Sequence, residues 1–369
     1  MGHCRKDICT IVLTNKCNLN CSYCWVSKIP HDFPKKVIDL EFAKRGILDY
    51  YKQTGSNYIG FFASGEPTLE LDMMKEIVEY TKDLIGDIKV ELQTNGVFNE
   101  NVFEWISKNV NIIWVSADGP IEINDLNRKA RNGIGSGIVI EKNIKKLIEY
   151  INTTDSKLLV GIRSTIGNFN VFKQKELIDY YYNLGIRAIY VDQICAEVSE
   201  EGTENKFLTG QVDSLIFAKE FYEAYEYAKN KGVFYGTIAT MNFDEEVNVS
   251  CRSLIPMPHL TPDGIVSSCE MCYEEGSPLD VFVYGKWNKE KKLIDYDEEK
   301  INKIKSRTID NLYECKECKF IKHCAGSCAG ETVNETGSLY KKNDRLCSIV
   351  KYLGERIELN TGVYPHLHP

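Results

Sequence analysis

The chain has 369 residues, 43% of them hydrophobic, which is enough for one large barrel-type domain and a smaller second domain and too many for a disordered chain. Its net charge of −8 and pI of about 5.5, without a basic tract, exclude the charge pattern expected of a nucleic-acid or anionic-membrane partner. No amino-terminal apolar segment and no run of about 18 apolar residues occurs, so we expect a cytoplasmic protein without a membrane span or export signal.

Strand-like and helix-like patterns alternate along the first 231 residues. Short apolar runs rich in β-branched or aromatic residues predict six strands, at 8–14, 58–63, 88–94, 112–117, 158–165 and 186–194. Helical periodicity predicts helices at 39–53, 71–85, 99–108, 138–151, 173–184 and 212–231. Six strand–helix repeats predict a parallel sheet with right-handed crossovers, whose functional residues lie at the carboxyl ends of the strands.

Three cysteines follow the first predicted strand with C-x3-C-x2-C spacing, namely Cys17, Cys21 and Cys24. Three thiolates on one loop can hold three irons of a 4Fe–4S cube and leave the fourth iron without a protein ligand. A structural zinc loop normally takes four ligands, and these three cysteines supply no fourth. Fourteen cysteines in a chain without an export signal also favour metal-bound thiolates over disulfides.

This spacing, with Tyr23 before the third cysteine, resembles the signature of radical S-adenosylmethionine (SAM) enzymes, in which the amino and carboxylate groups of SAM chelate the open iron. The strand–helix alternation also fits a doubly wound open sheet, but the position of the cysteine loop favours a partial (β/α)6 TIM-type barrel. The fold class we expect is therefore α/β.

Further loops carry the resemblance. Ser64-Gly65-Glu66-Pro67 resembles the family's Gly-Gly-Glu-Pro motif, which implies that Glu66 and the backbone of Ser64 and Gly65 receive the amino group of SAM. By themselves these residues are typical of an ordinary turn and helix start.

The loops after strands three and four extend this resemblance to peptide- and protein-modifying members of the family. Asn95 follows strand three, and the stretch from Ser116 and Asp118 to Arg128 resembles the family's S-x-D-G-P and D-x-x-R motifs. We expect Asn95 at the SAM site. Ser116 and Arg128 are then expected to hold the carboxylate or ribose of SAM, with Asp118 shaping the turn. As local sequence alone, the same residues fit loop chemistry.

Seven cysteines in the last third form a second pattern, C-x12-G-x4-C, a long gap, C-x2-C-x5-C-x3-C, and a last cysteine after eighteen intervening residues. The pattern resembles the SPASM domain, a cysteine-rich α+β extension of radical SAM enzymes that holds auxiliary iron–sulfur clusters. Structural zinc knuckles are the alternative. We place the barrel at residues 1–235 and the SPASM domain with a carboxyl-terminal helix at 236–369; residues 286–305 are predicted to form a solvated hairpin and helix.

The resemblance implies two auxiliary clusters, and with the first loop three 4Fe–4S clusters in all. The outer cluster would use Cys315, Cys318, Cys324 and Cys347, and the inner one Cys251, Cys269 and Cys328. Sulfatase-maturing relatives insert one more cysteine shortly after the first, and that place is empty here. Either Cys272 completes the inner cluster or its fourth iron is open. For Cys4, Cys9 and Cys195 we expect buried, unligated thiols.

The resemblance implies an enzyme that cleaves SAM to a 5′-deoxyadenosyl radical and oxidises a residue of a peptide or protein, by crosslinking or dehydrogenation, with a reductant such as flavodoxin or ferredoxin. Glu270 stands where sulfatase-maturing enzymes place a catalytic aspartate, so it is our candidate base; a solvated turn residue is the alternative. Arg163 and Asp192 point either into the barrel or to solvent. Sulfatase maturation is the second candidate function. A non-catalytic iron–sulfur electron carrier is a third, but it would not need the Gly65-Glu66-Pro67 motif.

Overall fold

The protein is described by a computed structural model that covers residues 7–24, 36–62, 64–195, 210–272 and 275–360. Seven strands pair in parallel in chain order, from the first to the seventh. They are β1 Cys9–Ile11, β2 Tyr58–Phe61, β3 Lys89–Thr94, β4 Ile112–Ser116, β5 Leu159–Ile166, β6 Ala188–Gln193 and β7 Phe234–Gly236. The predicted parallel sheet and the α/β fold class are confirmed. The three-residue β7 was not predicted, because its apolar run is too short to stand out.

Helices follow the strands as predicted. They are α1 Leu40–Thr54, α2 Leu71–Ile85, α3 Glu100–Asn109, α4 Ile121–Asn127, α5 Gly137–Thr153, α6 Gln174–Asn183 and α7 Ser214–Asn230. The ends follow capping rules: in α1 the Asp39 carboxylate accepts the Glu41 and Phe42 N–H groups, and Gly55 ends the helix at φ +66°. The short helix α4 was not predicted, because its seven residues directly follow an Asp-Gly-Pro sequence that reads as a turn.

The carboxyl-terminal part continues the same sheet. Strand β8, His259–Leu260, pairs in parallel with β1 on the side opposite β2, and β9 Ile265–Ser267, β10 Val283–Asn288 and β11 Leu293–Tyr296 follow in antiparallel pairing. The pairing of β8 with β1 brings residues 251–272 against the mouth of the barrel. The predicted boundary at 235/236 falls inside β7; two domains remain a prediction.

Four short helices complete the described chain: α8 Glu298–Lys305, α9 Ile321–Cys324, α10 Ala329–Thr336 and α11 Asp344–Gly354. The hairpin of β10 and β11 followed by α8 confirms the prediction for residues 286–305. Helix α11 packs against α7, which fixes the cysteine-rich part to the outside of the barrel. Within the described residues, no helix is both long and apolar enough to cross a lipid bilayer.

Candidate active site

The first cysteine loop is held against the carboxyl end of β3. The Asn95 side-chain amide donates to Cys17 Sγ at 3.7 Å and to Asn18 Oδ1 at 2.6 Å, and the Leu19 N–H also points at Cys17 Sγ, at 3.5 Å. Burial raises the pKa of the Cys17 thiol, while the Leu19 and Asn95 hydrogen bonds oppose that shift. Charge on this sulfur is therefore stabilised by two N–H groups of the protein.

Glu66 fixes the loop after β2 to the end of β3. One carboxylate oxygen accepts from the Thr68 N–H (3.0 Å), the Thr68 hydroxyl (2.6 Å) and the Thr94 hydroxyl (2.8 Å), and the other accepts from the Asn95 N–H at 2.7 Å. Burial raises the pKa of Glu66, and these four bonds offset part of that effect. The carboxylate thus clamps two loops, beyond the contact with SAM that the resemblance implies.

Gly65 allows this loop to approach the first cysteine loop. Its φ is +66°, and a Cβ there would lie 2.6 Å from the Lys16 carbonyl oxygen and closer still to that of Thr14. The neighbouring Glu66 N–H donates to the same Lys16 carbonyl at 2.7 Å. Only glycine fits this position, because it combines a left-handed φ with backbone contact.

Tyr23 connects the cysteine loop to the end of β4. Its hydroxyl donates to Asp118 Oδ2 at 2.6 Å and accepts from Arg128 Nη1 at 2.7 Å, and its ring stacks on Phe169. The other Asp118 oxygen accepts the Thr165 N–H at 3.0 Å, so Asp118 joins β4 to β5 as well as shaping the turn. Burial lowers the pKa of Arg128, but Tyr23, Cys21 and Asp118 outweigh it and raise that pKa above its usual range.

Some polar atoms in this region have no protein hydrogen-bond partner among the described residues. They include Ser64 Oγ and Arg128 Nε, both buried. Ser116 Oγ, on β4, accepts only a long bond of 3.5 Å from Gln93 Nε2. Buried polar groups are normally satisfied, so the two buried atoms, Ser64 Oγ and Arg128 Nε, fit a polar ligand such as SAM at this end of the barrel.

Four cysteines of the carboxyl-terminal part lie together, and we call them the inner set: Cys251, Cys269, Cys272 and Cys328. Burial raises the pKa of the Cys269 thiol, and the charges of Cys251 and Cys272 raise it further. Burial also raises the pKa of Cys328, with added contributions from Cys251 and Cys269. Desolvated thiols this close favour protonation unless a cation compensates their charge, which suits a metal cluster.

The outer set consists of Cys315, Cys318, Cys324 and Cys347, as the resemblance implied. Burial raises the pKa of Cys324 to about 12, and the other three thiols add to that shift. All thirteen described cysteines are free of disulfides. Among the described residues, no three His, Cys, Asp or Glu side chains converge on a point suited to a single metal ion. A 4Fe–4S cluster does not require such convergence, because each thiolate binds a different iron of the cube. The ligand assignments remain predictions.

Arg307 lies between the two sets and was not singled out by the sequence. Its guanidinium is fully buried and donates to the carbonyls of Leu339 (2.6 Å), Ala325 (3.2 Å) and Gly326 (2.9 Å). Burial lowers the pKa of Arg307, while thiols of the inner and outer sets oppose the shift. The contacts shape the residues between Cys324 and Cys328, where Ala325, Gly326 and Ser327 all have positive φ.

A cavity of about 300 Å³ lies between the barrel interior and the inner set. Its barrel wall consists of side chains at alternating positions of β3 to β6, and its other wall includes three cysteines of the inner set and Glu270. The residues that line the cavity include Glu91, Gln93, Trp114, Arg163, Tyr190, Asp192, Cys195, Cys251, Arg252, His259, Cys269, Glu270 and Cys328. The cavity therefore brings the barrel and the cysteine-rich part to one space.

Glu270 faces this cavity with Arg252 and His259. Its Oε1 accepts from Arg252 Nη2 and lies 3.7 Å from His259 Nε2. Burial raises the pKa of Glu270, but Arg252 and His259 outweigh it and hold that pKa well below its usual range. Glu270 thus lies in a turn at the cavity wall with a side chain that is 39% exposed and paired with Arg252, and its role as a base stays a prediction.

Arg163 and Asp192 point into the barrel, which resolves the two alternatives left by the sequence. Arg163 Nη1 lies 3.7 Å from Asp192 Oδ2, and its guanidinium stacks over the rings of Tyr190 and Trp114. Deeper in the barrel, Glu91 accepts hydrogen bonds from Trp114 Nε1 and the Tyr58 hydroxyl, both at 2.9 Å. Two-residue alternation along β3 to β6 was the signal that could have placed these side chains on one inner wall.

Of the remaining cysteines, Cys9 is buried as expected, Cys195 is exposed to the cavity instead, and Cys4 lies outside the described residues.

Comparison with known proteins agrees with this geometry. Residues 11–167 match the family model of the radical SAM superfamily. The chain is 29% identical over 194 residues to MJ0907, an uncharacterized protein of Methanocaldococcus jannaschii, and spans 64% of its length.

Two characterised relatives align with most of the chain. The radical SAM cyclopropyl synthase TigE of Paramaledivibacter caminithermalis is 22% identical and covers 94% of this chain and 73% of its own. A cysteine-type anaerobic sulfatase-maturating enzyme of Clostridium perfringens is 22% identical, with 85% of each chain covered.

A solved structure of native anSMEcpe with bound AdoMet and Cp18Cys peptide shares the fold at a TM-score of 0.71 and 19% identity, over 98% of this chain and 97% of that one. The likeness extends through the cysteine-rich part, in keeping with the predicted SPASM-type architecture. The family match identifies residues 11–167 as a radical SAM domain.

Proposed function

We propose that this enzyme oxidises one residue of a peptide or protein held in the cavity between the barrel and the inner set. The observation that carries the proposal is the composition of the cavity wall. Cys251, Cys269 and Cys328 share it with Glu270 and with barrel side chains below the proposed SAM site. A substrate residue there would lie beside both a source of radicals and an electron acceptor.

Three 4Fe–4S clusters and SAM are the cofactors we propose. The first loop, Cys17, Cys21 and Cys24, would hold the SAM-binding cluster. Cys251, Cys269 and Cys328 of the inner set and the four cysteines of the outer set would hold the auxiliary ones. When bound, these groups would supply a 5′-deoxyadenosyl radical that removes a hydrogen atom from the substrate, and an acceptor for the electron that the substrate radical then loses.

The protein's own groups would position SAM and keep the space enclosed. Ser64 and Arg128 each offer a buried polar atom without a hydrogen-bond partner in the described part of the chain, and Ser116 offers a hydroxyl on the inner face of β4. Asn95 and Tyr23 hold the cysteine loop, and Glu66 holds the neighbouring loops in register. A radical reaction depends on such fixed geometry and on exclusion of competing reactants.

Glu270 is proposed to take the proton that leaves during oxidation. Its lowered pKa favours the ionised form that a base needs, and Arg252 and His259 fix its position at the cavity wall. Burial lowers the pKa of His259, so the neutral imidazole predominates there at neutral pH. A positioned base of this kind typically contributes about 10²–10⁴-fold to rate.

Peptide or protein substrates are supported by the relatives. TigE is named as a cyclopropyl synthase, and the anSMEcpe structure contains a peptide. Flavodoxin or ferredoxin is the proposed class of reductant, because the reaction begins with one low-potential electron.

Sulfatase maturation is the second candidate. This candidate is supported by the alignment with the sulfatase-maturating enzyme, which covers 85% of each chain. The place of its additional cysteine is empty between Cys251 and Cys269, and Glu270 replaces the family's aspartate, which favours a different substrate.

The test uses anaerobically reconstituted enzyme, SAM, dithionite, the Cp18Cys peptide and a synthetic peptide library. We expect 5′-deoxyadenosine together with library products lighter by two hydrogens, and no formylglycine from Cp18Cys. Formylglycine from Cp18Cys would favour the second candidate.

Glu270→Gln should still release 5′-deoxyadenosine but reduce peptide oxidation at least about 100-fold. The matched control is Glu275→Gln, which changes an exposed carboxylate of the same region that pairs with Lys286 and should leave oxidation unchanged. Equal product from wild type and Glu270→Gln would remove Glu270 from the mechanism.

A further inference from the structure

Cys272 follows Cys269 in a tight turn, and its N–H donates to the Cys269 carbonyl at 3.1 Å. An equivalent hydrogen bond occurs in the two other C-x2-C pairs of the described residues, and the cysteines of both pairs are predicted cluster ligands. In those pairs the Cys24 N–H donates to Cys21 O at 3.0 Å and the Cys318 N–H donates to Cys315 O at 2.9 Å. The backbone of Cys269–Cys272 therefore has the hydrogen-bonded form of the proposed ligand turns.

The Cys272 thiol also lies near the other thiols of the inner set. Cys272 is only 1% exposed, and its charge interacts with that of Cys269, which in turn interacts with Cys251. Its sulfur lies 3.9 Å from the Ser277 hydroxyl and does not belong to the described lining of the cavity. It is thus on the side of the inner set that faces away from the proposed substrate.

Gly330 keeps space beside this turn. A Cβ at Gly330 would lie 2.8 Å from Cys269 Sγ and 2.9 Å from Met271 Sδ, so any side chain there would press on the turn and its sulfur. Gly330 has no positive φ, so the requirement for glycine at this position comes from the space beside Cys269. An open approach to the thiol suits a bound cluster.

We propose that Cys272 is the fourth thiolate ligand of the inner 4Fe–4S cluster. This rests on the proposed function, which assigns a cluster to the inner set. Both cysteines of the turn then bind one cube, and no inner iron is left for the substrate. The substrate must therefore be held by cavity side chains such as Arg163 and Asp192, and the inner cluster acts only as an electron acceptor.

The test removes the SAM-binding cluster so that only the auxiliary clusters are observed. In a variant with Cys17, Cys21 and Cys24 all changed to Ala, two cubes give about 8 irons per chain. Iron and sulfide are counted, and EPR spectra of the dithionite-reduced protein are recorded with and without cyanide, which binds an iron that lacks a thiolate. We expect the spectrum to be insensitive to cyanide.

Adding Cys272→Ala to this variant should leave one inner iron without a thiolate. The spectrum becomes cyanide-sensitive if that iron stays bound, and the iron content falls to about 7 per chain if it is lost. Adding Cys9→Ala instead removes an equally buried thiol from the barrel core and should change neither reading. Cyanide sensitivity with Cys272 intact, or an unchanged spectrum and iron content without it, would overturn the proposal.

The first of these readings needs no Cys272 variant, so the proposal stays testable if that variant does not fold. SAM cleavage plays no part in the measurement. About 4 irons in the starting variant would contradict the pair of auxiliary clusters on which this proposal rests, whereas a lack of peptide oxidation would contradict only the proposed function.

Discussion

Replacing Arg307 should test whether one buried cation holds the two auxiliary cysteine sets together. Arg307→Met keeps an unbranched stem but leaves the carbonyls of Leu339, Ala325 and Gly326 without their donor. Each buried acceptor left unsatisfied costs about 1–2 kcal/mol, so we expect a loss of about 3–6 kcal/mol. At about 2 °C per kcal/mol for a chain of this size, the Tm should fall by about 6–12 °C.

The assay is thermal unfolding of reconstituted enzyme under anaerobic conditions at one scan rate, because a cluster-containing protein does not unfold in two states. Iron release is followed in the same scan. Cys324 and Cys328 flank the residues that Arg307 holds, so iron of both auxiliary sets should be lost earlier than in wild type. The first-loop cluster, monitored by 5′-deoxyadenosine formation at low temperature, should persist.

The matched control is Arg356→Met at an exposed arginine of the carboxyl-terminal part, whose Nη1 donates to the Tyr352 carbonyl and lies 3.8 Å from Glu355 Oε2. It should shift the Tm by no more than about 1–2 °C. If Arg307→Met behaves like this control in both Tm and iron release, the structural role given to Arg307 is wrong.

Three further changes test the SAM end of the barrel. Gly65→Ala should lower both the iron content of the first loop and the Tm. Gly55 has the same φ of +66° but open space around it, so Gly55→Ala should lower the free energy of unfolding by only about 1 kcal/mol. Equal losses of stability in the two variants would refute the close contact at Gly65. Tyr23→Phe removes the hydroxyl between a buried carboxylate and a buried guanidinium and should lower stability by about 1–3 kcal/mol, measured as Tm, with unchanged stability as the contrary result. Thr94→Val deprives Glu66 of one of four donors and should weaken SAM binding and lower the Tm by a few degrees; wild-type values of both would contradict the clamp.

The regular part of the fold could be predicted because its signals are local. Strands β2 to β6 are rich in apolar, β-branched and aromatic residues, and the long helices have a periodic apolar face. Helices α1, α3 and α7 also have a capping side chain such as Asp39. Strand β1 is shorter than predicted, Cys9–Ile11 instead of 8–14, because Thr14 leaves the parallel pairing and bridges to Val37. Strands β7 and β8 exist through pairing with distant partners, which a local pattern does not contain.

In the candidate site, too, features with a local sequence pattern could be predicted and features that depend on distant residues could not. Cysteine spacing predicted the three cysteine groups, because ligand turns are short and contiguous, as in Cys315 and Cys318. The role of Arg307 could not be predicted, since its partners are backbone carbonyls 18 to 32 residues away in sequence. The Glu270 ion pair with Arg252 likewise depends on the packing of one short loop on another.

The most direct test of the account is the cleavage of SAM itself. Anaerobically reconstituted enzyme with SAM and dithionite should form 5′-deoxyadenosine and methionine, Cys9→Ala should do the same, and Cys24→Ala should form neither. Iron-loaded wild-type protein that forms no 5′-deoxyadenosine, or a Cys24→Ala variant that forms as much as wild type, would contradict the central claim that the first cysteine loop binds the cluster that cleaves SAM.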